Sequence, residues 1–519
     1  MISMSEAGDS ETGAALWLGF AAMCVGMFMA VLDVQVVASS LTAIQTALHI
    51  PLARLGWIQT AYLMAEVVAI PLTGILTRAL SLRILFAAAT LGFVAASLAC
   101  ALSPGFDALI AARVVQGFFG GMLIPAVFTA VFLLIPERHH ILATTMAGVA
   151  ALIAPTLGPL LGGWLTESQS WHWIFLVNIV PGLIVAAVVL LSLKSEGVDK
   201  TVLKRVDTLT FLLFTVFLAG LQWFLNEGPR YHWRGAYIWS LILISAIALA
   251  WGIHRALSVA HPFVHLKRFR KRGFALGCAL SFVLGVGLYG SVYLLSLFLG
   301  LVRGHTPLVI GEILMVSGAA QLVTTPLAAW AETKANAKLL TAFGFALFGA
   351  GLIANGFTTQ TSDFDQLFWP QVMRGLAMMF CLLPSTRLAL EHWQPHEVAE
   401  ASALFNLMRN LGGAIGIAAI DTILTERTEG HVTHLVTRLQ AGDPAAARLV
   451  GLPMRLFHNH AMGPVDPVTR AMIEPMVRRA ALTQSCNEAW LLLGVLFLAA
   501  LLMVPAMRRS KTDLARLGS

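Results

Sequence analysis

Apolar runs of about 20 residues recur along this chain, and a helix needs that length to cross a bilayer. They fall at roughly 15–37, 55–76, 82–102, 106–135, 143–165, 171–193, 207–226, 236–257, 273–300, 308–331, 336–356, 366–390, 400–423 and 488–507. A helix closes its backbone hydrogen bonds internally, so it can sit in hydrocarbon without unpaired polar groups. Fourteen such runs restrict the chain to an all-α integral membrane protein. Composition agrees, with 58% hydrophobic residues, 12% charged residues and a mean hydropathy of +0.79. The first run is preceded by an acidic, polar segment (SEAGDSE) and lacks the short apolar core and cleavage site of a signal peptide.

The net charge of +7 raises the question of a nucleic-acid partner, but its distribution points to topology. Even-numbered connections and the C-terminal tail carry Lys194, Lys200, Lys204, Arg205, the block LKRFRKR (266–272), Arg508, Arg509, Lys511 and Arg516. The short odd-numbered connections carry Arg54, Arg230, Arg234 and Arg303. This is the positive-inside bias, and it places both termini in the cytoplasm. The 266–272 block reads as a topology and lipid-headgroup anchor. Cys24, Cys100, Cys278 and Cys381 lie within spans and Cys486 near a surface, with no disulfide framework or metal spacing. In HPFVH (261–265) the proline argues against a helical metal pair. No Gly-Lys pair occurs, so no P-loop is present and no cofactor is expected.

Two six-span blocks flank a central pair of spans. We expect a cytoplasmic segment (1–14), an N-terminal bundle (15–193), a linker with spans 7 and 8 (194–257), a C-terminal bundle (258–507) and a cytoplasmic tail (508–519). Faint repetition relates the bundles. RVVQG then LIP in span 4 (113–117, 123–125) matches QVMRG then LLP in span 12 (371–375, 382–384). LGPLLG (157–162) in span 5 matches LGGAIG (411–416) in span 13 at nearly the same offset. Two related halves with a site between them is a common transporter design. The long connection, 424–487, contains HVTHLVTRLQ and PVTRAMIEPMVRRAALTQ, which read as amphipathic helices. It is either a solvated loop packed on the protein itself or a docking surface for a periplasmic partner.

Charges inside the spans are few and expensive, roughly 2.5–3.5 kcal/mol each on insertion scales. The main ones are Asp33 in span 1, Glu66 in span 2, Arg113 in span 4 and Arg409 in span 13, with Gln116 beside Arg113. Arg374, Glu312 and Asp421 lie nearer span ends, where a side chain can snorkel, and Arg387 reads as an interfacial cation. An acid that alternates between dry and hydrated settings, or gains and loses a cationic neighbour, can bind and release a proton. Asp33 or Glu66 can do this with Arg113 biasing release; the other reading is a permanent structural ion pair. In span 5, APTLGPLLGG (154–163) places Pro155, Gly158, Pro159, Gly162 and Gly163 where helices kink and approach closely, at a moving or a static interface.

These residues carry a resemblance. LDVQVVASSL in span 1, ARVVQG in span 4, APTLGPLLGG in span 5, WHWIFLVNIVPG in span 6 and WPQVMRGLAMMFCLLP in span 12 resemble the major facilitator superfamily. Within it they resemble the fourteen-span drug:proton antiporter branch and its EmrB-like exporters. Asp33 falls on the span 1 acid and Arg113 on the span 4 arginine. Departures are Gln35 for threonine, Ser39 in the usual small-residue position, Thr42 where proline is common and Ala154 for a glycine. The loop motif G-x-L-x-D-[RK]-x-G-[RK]-[RK] appears as GILTRALSLR (74–83), with Arg78 at the acidic position, Ser81 at the second glycine and Arg83 kept.

The resemblance implies the major facilitator fold, two six-helix bundles plus two linker helices, and proton-driven multidrug export across the bacterial inner membrane. It implies hydrophobic or amphipathic substrates, a periplasmic adaptor and an outer-membrane channel, with 424–487 as a possible docking surface. Asp33, Glu66 and Arg113 are the expected proton-coupling residues. Asp33, Glu66, Gln116, Trp57, Gln59, Tyr62, Met64 and Arg409 are the expected substrate-binding set. The competing expectations are a specific exporter of a siderophore, fatty acid or aromatic acid, and a non-transporting receptor or scaffold. With no nucleophile–base set or metal cluster, an enzyme is not expected.

Overall fold

The computed structural model describes residues 3–193, 207–259, 266–391, 393, 395–452 and 467–507. HPFVH, the basic run at 194–205 and the tail at 508–519 lie outside the described residues. Among the described residues, fourteen helices are long and apolar enough to cross a membrane. They run Gly13–Ala47, Leu52–Leu80, Leu82–Ala101, Phe106–Leu134, Glu137–Ser168, Trp173–Ser192, Thr208–Glu227, Ala236–Ser258, Arg272–Val302, Pro307–Lys334, Ala337–Asn355, Phe364–Leu390, Glu400–Gln440 and Ala471–Met503. We number them spans 1 to 14. Among the described residues there is no strand.

Local chemistry starts several of these helices. Asp363 and Gln366 form a capping box at span 12, each side chain pairing a backbone amide that the first turn leaves open. Asn336 caps span 11 through the Lys338 amide at 2.9 Å, and Pro307, which has no amide to lose, opens span 10. Span 6 is broken by a turn at Val177 and Asn178. Large apolar side chains such as Phe132, Leu191, Val323, Leu339 and Leu502 stay exposed on the outer faces, as lipid-facing surface requires.

The two bundles repeat one packing scheme. In spans 1–6, the first helix packs on the fifth, the second and third on the fourth, and the third on the sixth. Spans 9–14 repeat this as 9 on 13, 10 and 11 on 12, and 11 on 14. The bundles meet through span 2 on span 13 and span 10 on span 5, which is the same pairing seen from each side. Spans 7 and 8 are peripheral: 22% of an 18-residue apolar stretch in each is buried, against 78% of the corresponding stretch in span 9. Span 7 touches spans 2 and 13.

Spans 13 and 14 differ from the sequence expectation. HVTHLVTRLQ and the stretch from Pro467 are helical, but they continue these two spans, for which the apolar runs predict an end at 423 and a start at 488. The extensions are less apolar than the spans they continue, and they pair as a helical hairpin with its own small core. Leu435, Leu439, Ala446, Ala447, Val477 and Ala481 form that core. Arg427 reaches Glu488 at 2.7 Å, and Arg478 reaches Glu429 at 2.8 Å, across the hairpin. Residues 453–466 of the connection lie outside the described residues. Below, the side of the bundle carrying this hairpin is the loop end, and the opposite side the terminus end.

Candidate functional site

Span 4 carries the centre of the N-terminal bundle. Its i,i+3 spacing puts Arg113 and Gln116 on one face, and the Arg113 guanidinium donates 2.7 Å to the Gln116 carbonyl. Asp33 of span 1 closes the cluster. It forms an ion pair with Arg113 in which both side chains are fully buried. It also accepts from the Gln116 amide at 2.8 Å and from Asn178 at 2.9 Å. Arg113 Nε donates to the Ile58 carbonyl at 3.0 Å, and its guanidinium lies over the Tyr62 ring at 4.4 Å. Tyr62 in turn donates to the Ala30 carbonyl at 3.2 Å, and Gln116 to Ser97 at 2.8 Å. Burial of an unpaired charge is prohibitive, so the carboxylate and guanidinium are mutually necessary here. Five of the six helices of this half contribute. Gly117 allows the closeness, since a side chain there would run into the Tyr62 backbone.

Glu66 is arranged differently. It is buried one turn along span 2 from Tyr62, and Gly121 of span 4 packs directly on it. Its polar surroundings come from both halves: the Asn410 side chain and the Arg409 charge of span 13, and the Arg113 charge of its own bundle. Asn410 also accepts from Tyr289 of span 9 at 3.3 Å. Asp33 is therefore held by partners of its own bundle, whereas Glu66 sits on the seam between bundles.

The span 5 motif lies on a second stretch of that seam. Gly158 faces Gln35 of span 1, Gly162 the Val36 carbonyl, and Gly163 the backbone of Pro307 and Leu308 at the start of span 10. Gly311 of span 10 faces the Pro159 carbonyl. Span 5 is thus wedged between its own bundle and the opposite one with no room for side chains at these contacts. Pro155 and Pro159 also line a cavity between the halves, with Gln35, Leu288, Val292, Leu314, Phe348 and Arg374.

Of the other residues singled out in the sequence, Gln59 and Met64 are buried in span 2. Trp57 packs edge-on against Trp223 of span 7 at 5.6 Å, and Arg409 bonds to Asn406. Two expectations about span ends are corrected. Arg374 does not snorkel; it is 3% exposed in the C-terminal bundle. Asp421 is 2% exposed and accepts from the Gly56 amide at 2.9 Å and from Tyr293. Both are held in place because polar partners reach them at depth. Arg387 pairs with Glu332 at 3.3 Å.

Sequence reasoning misses Asn178 as a site residue, although it is the lone amide in the apolar stretch WIFLVNIVPG, and a buried polar group in a span needs a partner. Asn410 follows Arg409 directly and is overshadowed by the charge beside it. Among the described residues no group of three or more His, Cys, Asp or Glu side chains could hold a metal.

Comparison with known proteins places these features in context. A family profile described as Major Facilitator Superfamily matches residues 23–417. The chain is 38% identical over 422 residues to the colistin resistance protein EmrB of Acinetobacter baumannii, covering 81% of this chain and 82% of that one. It is 28% identical to the fatty acid resistance protein FarB of Neisseria gonorrhoeae, covering 95% and 96%. It is 27% identical to the multidrug export protein EmrB of Escherichia coli, covering 95% of each. Among solved structures, a D-xylose–proton symporter superposes with a TM-score of 0.61 at 15% identity, covering 96% of this chain and 98% of that one. An inward-facing bacterial homologue of the lysosomal transporter Spinster gives 0.59 at 14% identity, covering 96% and 99%.

Proposed function

This chain belongs to the major facilitator superfamily, and from that membership we propose that it exports hydrophobic and amphipathic toxic compounds from bacteria in exchange for protons. The positive-inside bias supports cytoplasmic termini and a periplasmic loop end, and we read the membrane as the bacterial inner one. The tight contacts between halves, Gly163 on Pro307 and Asp421 on Gly56, lie toward the loop end. An exporter loads from the cytoplasm, and contacts closing the loop end fit that reading.

The observation that carries this reading is the contrast between the two buried acids. Asp33 has a complete set of partners within one bundle, so it orders spans 1, 4 and 6 as a unit. Glu66 draws its partners from span 13 of the other bundle. When the bundles rock, Asn410 and Arg409 move relative to Glu66, and its preference for the proton moves with them. Glu66 is then the acid that binds and releases the proton, and the Asp33–Arg113 pair sets the field around it. Trp57, Gln59, Tyr62, Met64, Gln116 and Arg409 belong to the surrounding substrate-binding set.

The hairpin at the loop end supports a role for an adaptor. A helical projection with its own core continues spans 13 and 14, and it leaves Val436, Leu449 and Met472 exposed. We read it as the docking surface of a periplasmic adaptor that leads to an outer-membrane channel.

Dye efflux from cells expressing the protein tests the transport reading. A protonophore is expected to abolish efflux of ethidium; efflux that persists after the proton gradient collapses overturns it.

A further inference from the structure

The sequence repeat relating span 4 to span 12 has a consequence in the C-terminal bundle. RVVQG and QVMRG exchange the arginine and the glutamine between equivalent positions, so Arg113 and Gln116 correspond to Gln371 and Arg374. The local pair survives the exchange: Arg374 donates to the Gln371 carbonyl at 2.7 Å, as Arg113 does to Gln116. The carboxylate does not survive it. Arg113 has Asp33, whereas among the described residues no acid lies within ion-pair distance of Arg374. Its other partner is the neutral hydroxyl of Ser291. Its Nε and the Gln371 amide nitrogen are buried with no partner at all.

A cation in a span without a counter-charge is costly, and such groups mark substrate pathways. A scaffold role would call for the solution used by the other bundle. Arg374 instead lines the cavity between the halves. The rings of Phe348 and Trp490 flank the guanidinium at 5.7 and 5.8 Å and hold it in orientation. Leu288, Val292, Leu314 and Met378 supply apolar walls to the same cavity, and Gln35 reaches it from the N-terminal half.

We propose that Arg374 is an anion subsite of this cavity, taking the carboxylate of an amphipathic acid whose apolar body rests on Phe348 and the aliphatic walls. The planar guanidinium suits a carboxylate, to which it can donate two parallel bonds. The bound acid supplies in the C-terminal bundle the negative charge that Asp33 supplies permanently in the N-terminal one. This inference rests on the transport reading for its purpose, but not for its test.

The test is equilibrium binding to the purified full-length protein in detergent, by calorimetry, using 1-naphthoate and its neutral isostere 1-naphthamide. The wild type is expected to bind the acid at least about tenfold more tightly than the amide. Arg374→Gln is expected to remove that preference while leaving amide affinity within twofold, which shows that the cavity is intact. Arg374→Lys is expected to keep part of the preference. The proposal is overturned if the wild type binds neither compound or shows no preference for the acid. It is equally overturned if the preference survives in Arg374→Gln, or if that variant weakens both compounds alike. Binding is read without a proton gradient, so failure of the efflux experiment and failure of this one are separate results.

Discussion

Asp421 of span 13 accepts a hydrogen bond from the amide of Gly56, at the start of span 2 in the opposite bundle, at 2.9 Å. Glu167, its register-mate in span 5, accepts from the Leu308 amide at the start of span 10 at 3.2 Å. Each half therefore places a carboxylate on a helix N-terminus of the other, where open amides and the helix dipole favour negative charge. The two contacts form a symmetric closure of the loop end, with the buried Asp421 member screened least by solvent.

Asp421→Ala is expected to loosen that closure. A cysteine introduced at Thr42, which abuts Gly300 across the seam, should react several-fold faster with a membrane-impermeant maleimide applied from the loop side. Unchanged labelling assigns the closure to the helix contacts alone.

The Asp33–Arg113 pair predicts a non-additive mutant cycle. Asp33→Asn or Arg113→Gln alone leaves the other charge buried and unpaired, at a cost of about 3–5 kcal/mol. The double variant should recover most of the lost thermal stability in detergent. Proton-driven efflux should be lost in all three. Additive destabilisation would show that the two charges do not depend on each other.

Glu66→Gln separates coupling from folding. It keeps the hydrogen-bonding shape at the seam but cannot cycle a proton. In proteoliposomes, downhill substrate movement should continue while substrate-induced proton flux falls to background. Proton flux at the wild-type level would transfer the coupling role to Asp33.

Ser81 has φ +69° and ψ 151°, a region that is essentially glycine's and costs other residues about 1–3 kcal/mol. It occupies the second glycine position of the loop motif, so this departure from the motif is borne as backbone strain. Ser81→Gly is expected to stabilise the protein by about 1 kcal/mol, seen as a higher midpoint in thermal unfolding. A lower midpoint would show that the Ser81 side chain contributes more than the strain costs.

At the loop end, Asp363 caps span 12 and accepts from Arg303 at 2.6 Å and His305 at 2.9 Å. Burial alone would raise its carboxyl, but the bonds from Arg303, the Phe364 amide and His305 hold it below the ordinary range. A depressed carboxyl stabilises the fold above its unfolded titration near pH 4, and that contribution is lost as pH falls through the folded value. Asp363→Ala should therefore cost about 0.5–2 kcal/mol at pH 7, the usual worth of a cap. The gap to wild type should narrow below about pH 4. A gap independent of pH would assign the effect to packing.

The apolar run lengths determined the fourteen spans, because hydrophobicity over 20 residues is local and additive. The repeat between 113–117 and 371–375 made the two related halves legible, and the cost of charge in hydrocarbon was enough to single out Asp33, Glu66 and Arg113. The continuation of the helices of spans 13 and 14 past their apolar runs was not legible, because a helix keeps its backbone hydrogen bonds where its hydropathy signal has ended. The partnerships were not legible either. Asn178 joins Asp33 from 145 residues away, Glu66 faces the opposite bundle, and among the described residues Arg374 is left without an acid. Each is a matter of distance between helices, which packing sets and a one-dimensional pattern does not contain. The sequence by itself determined which charges lie in the apolar spans; only the tertiary structure decided which of them are paired there and which are not, because pairing depends on how the helices pack.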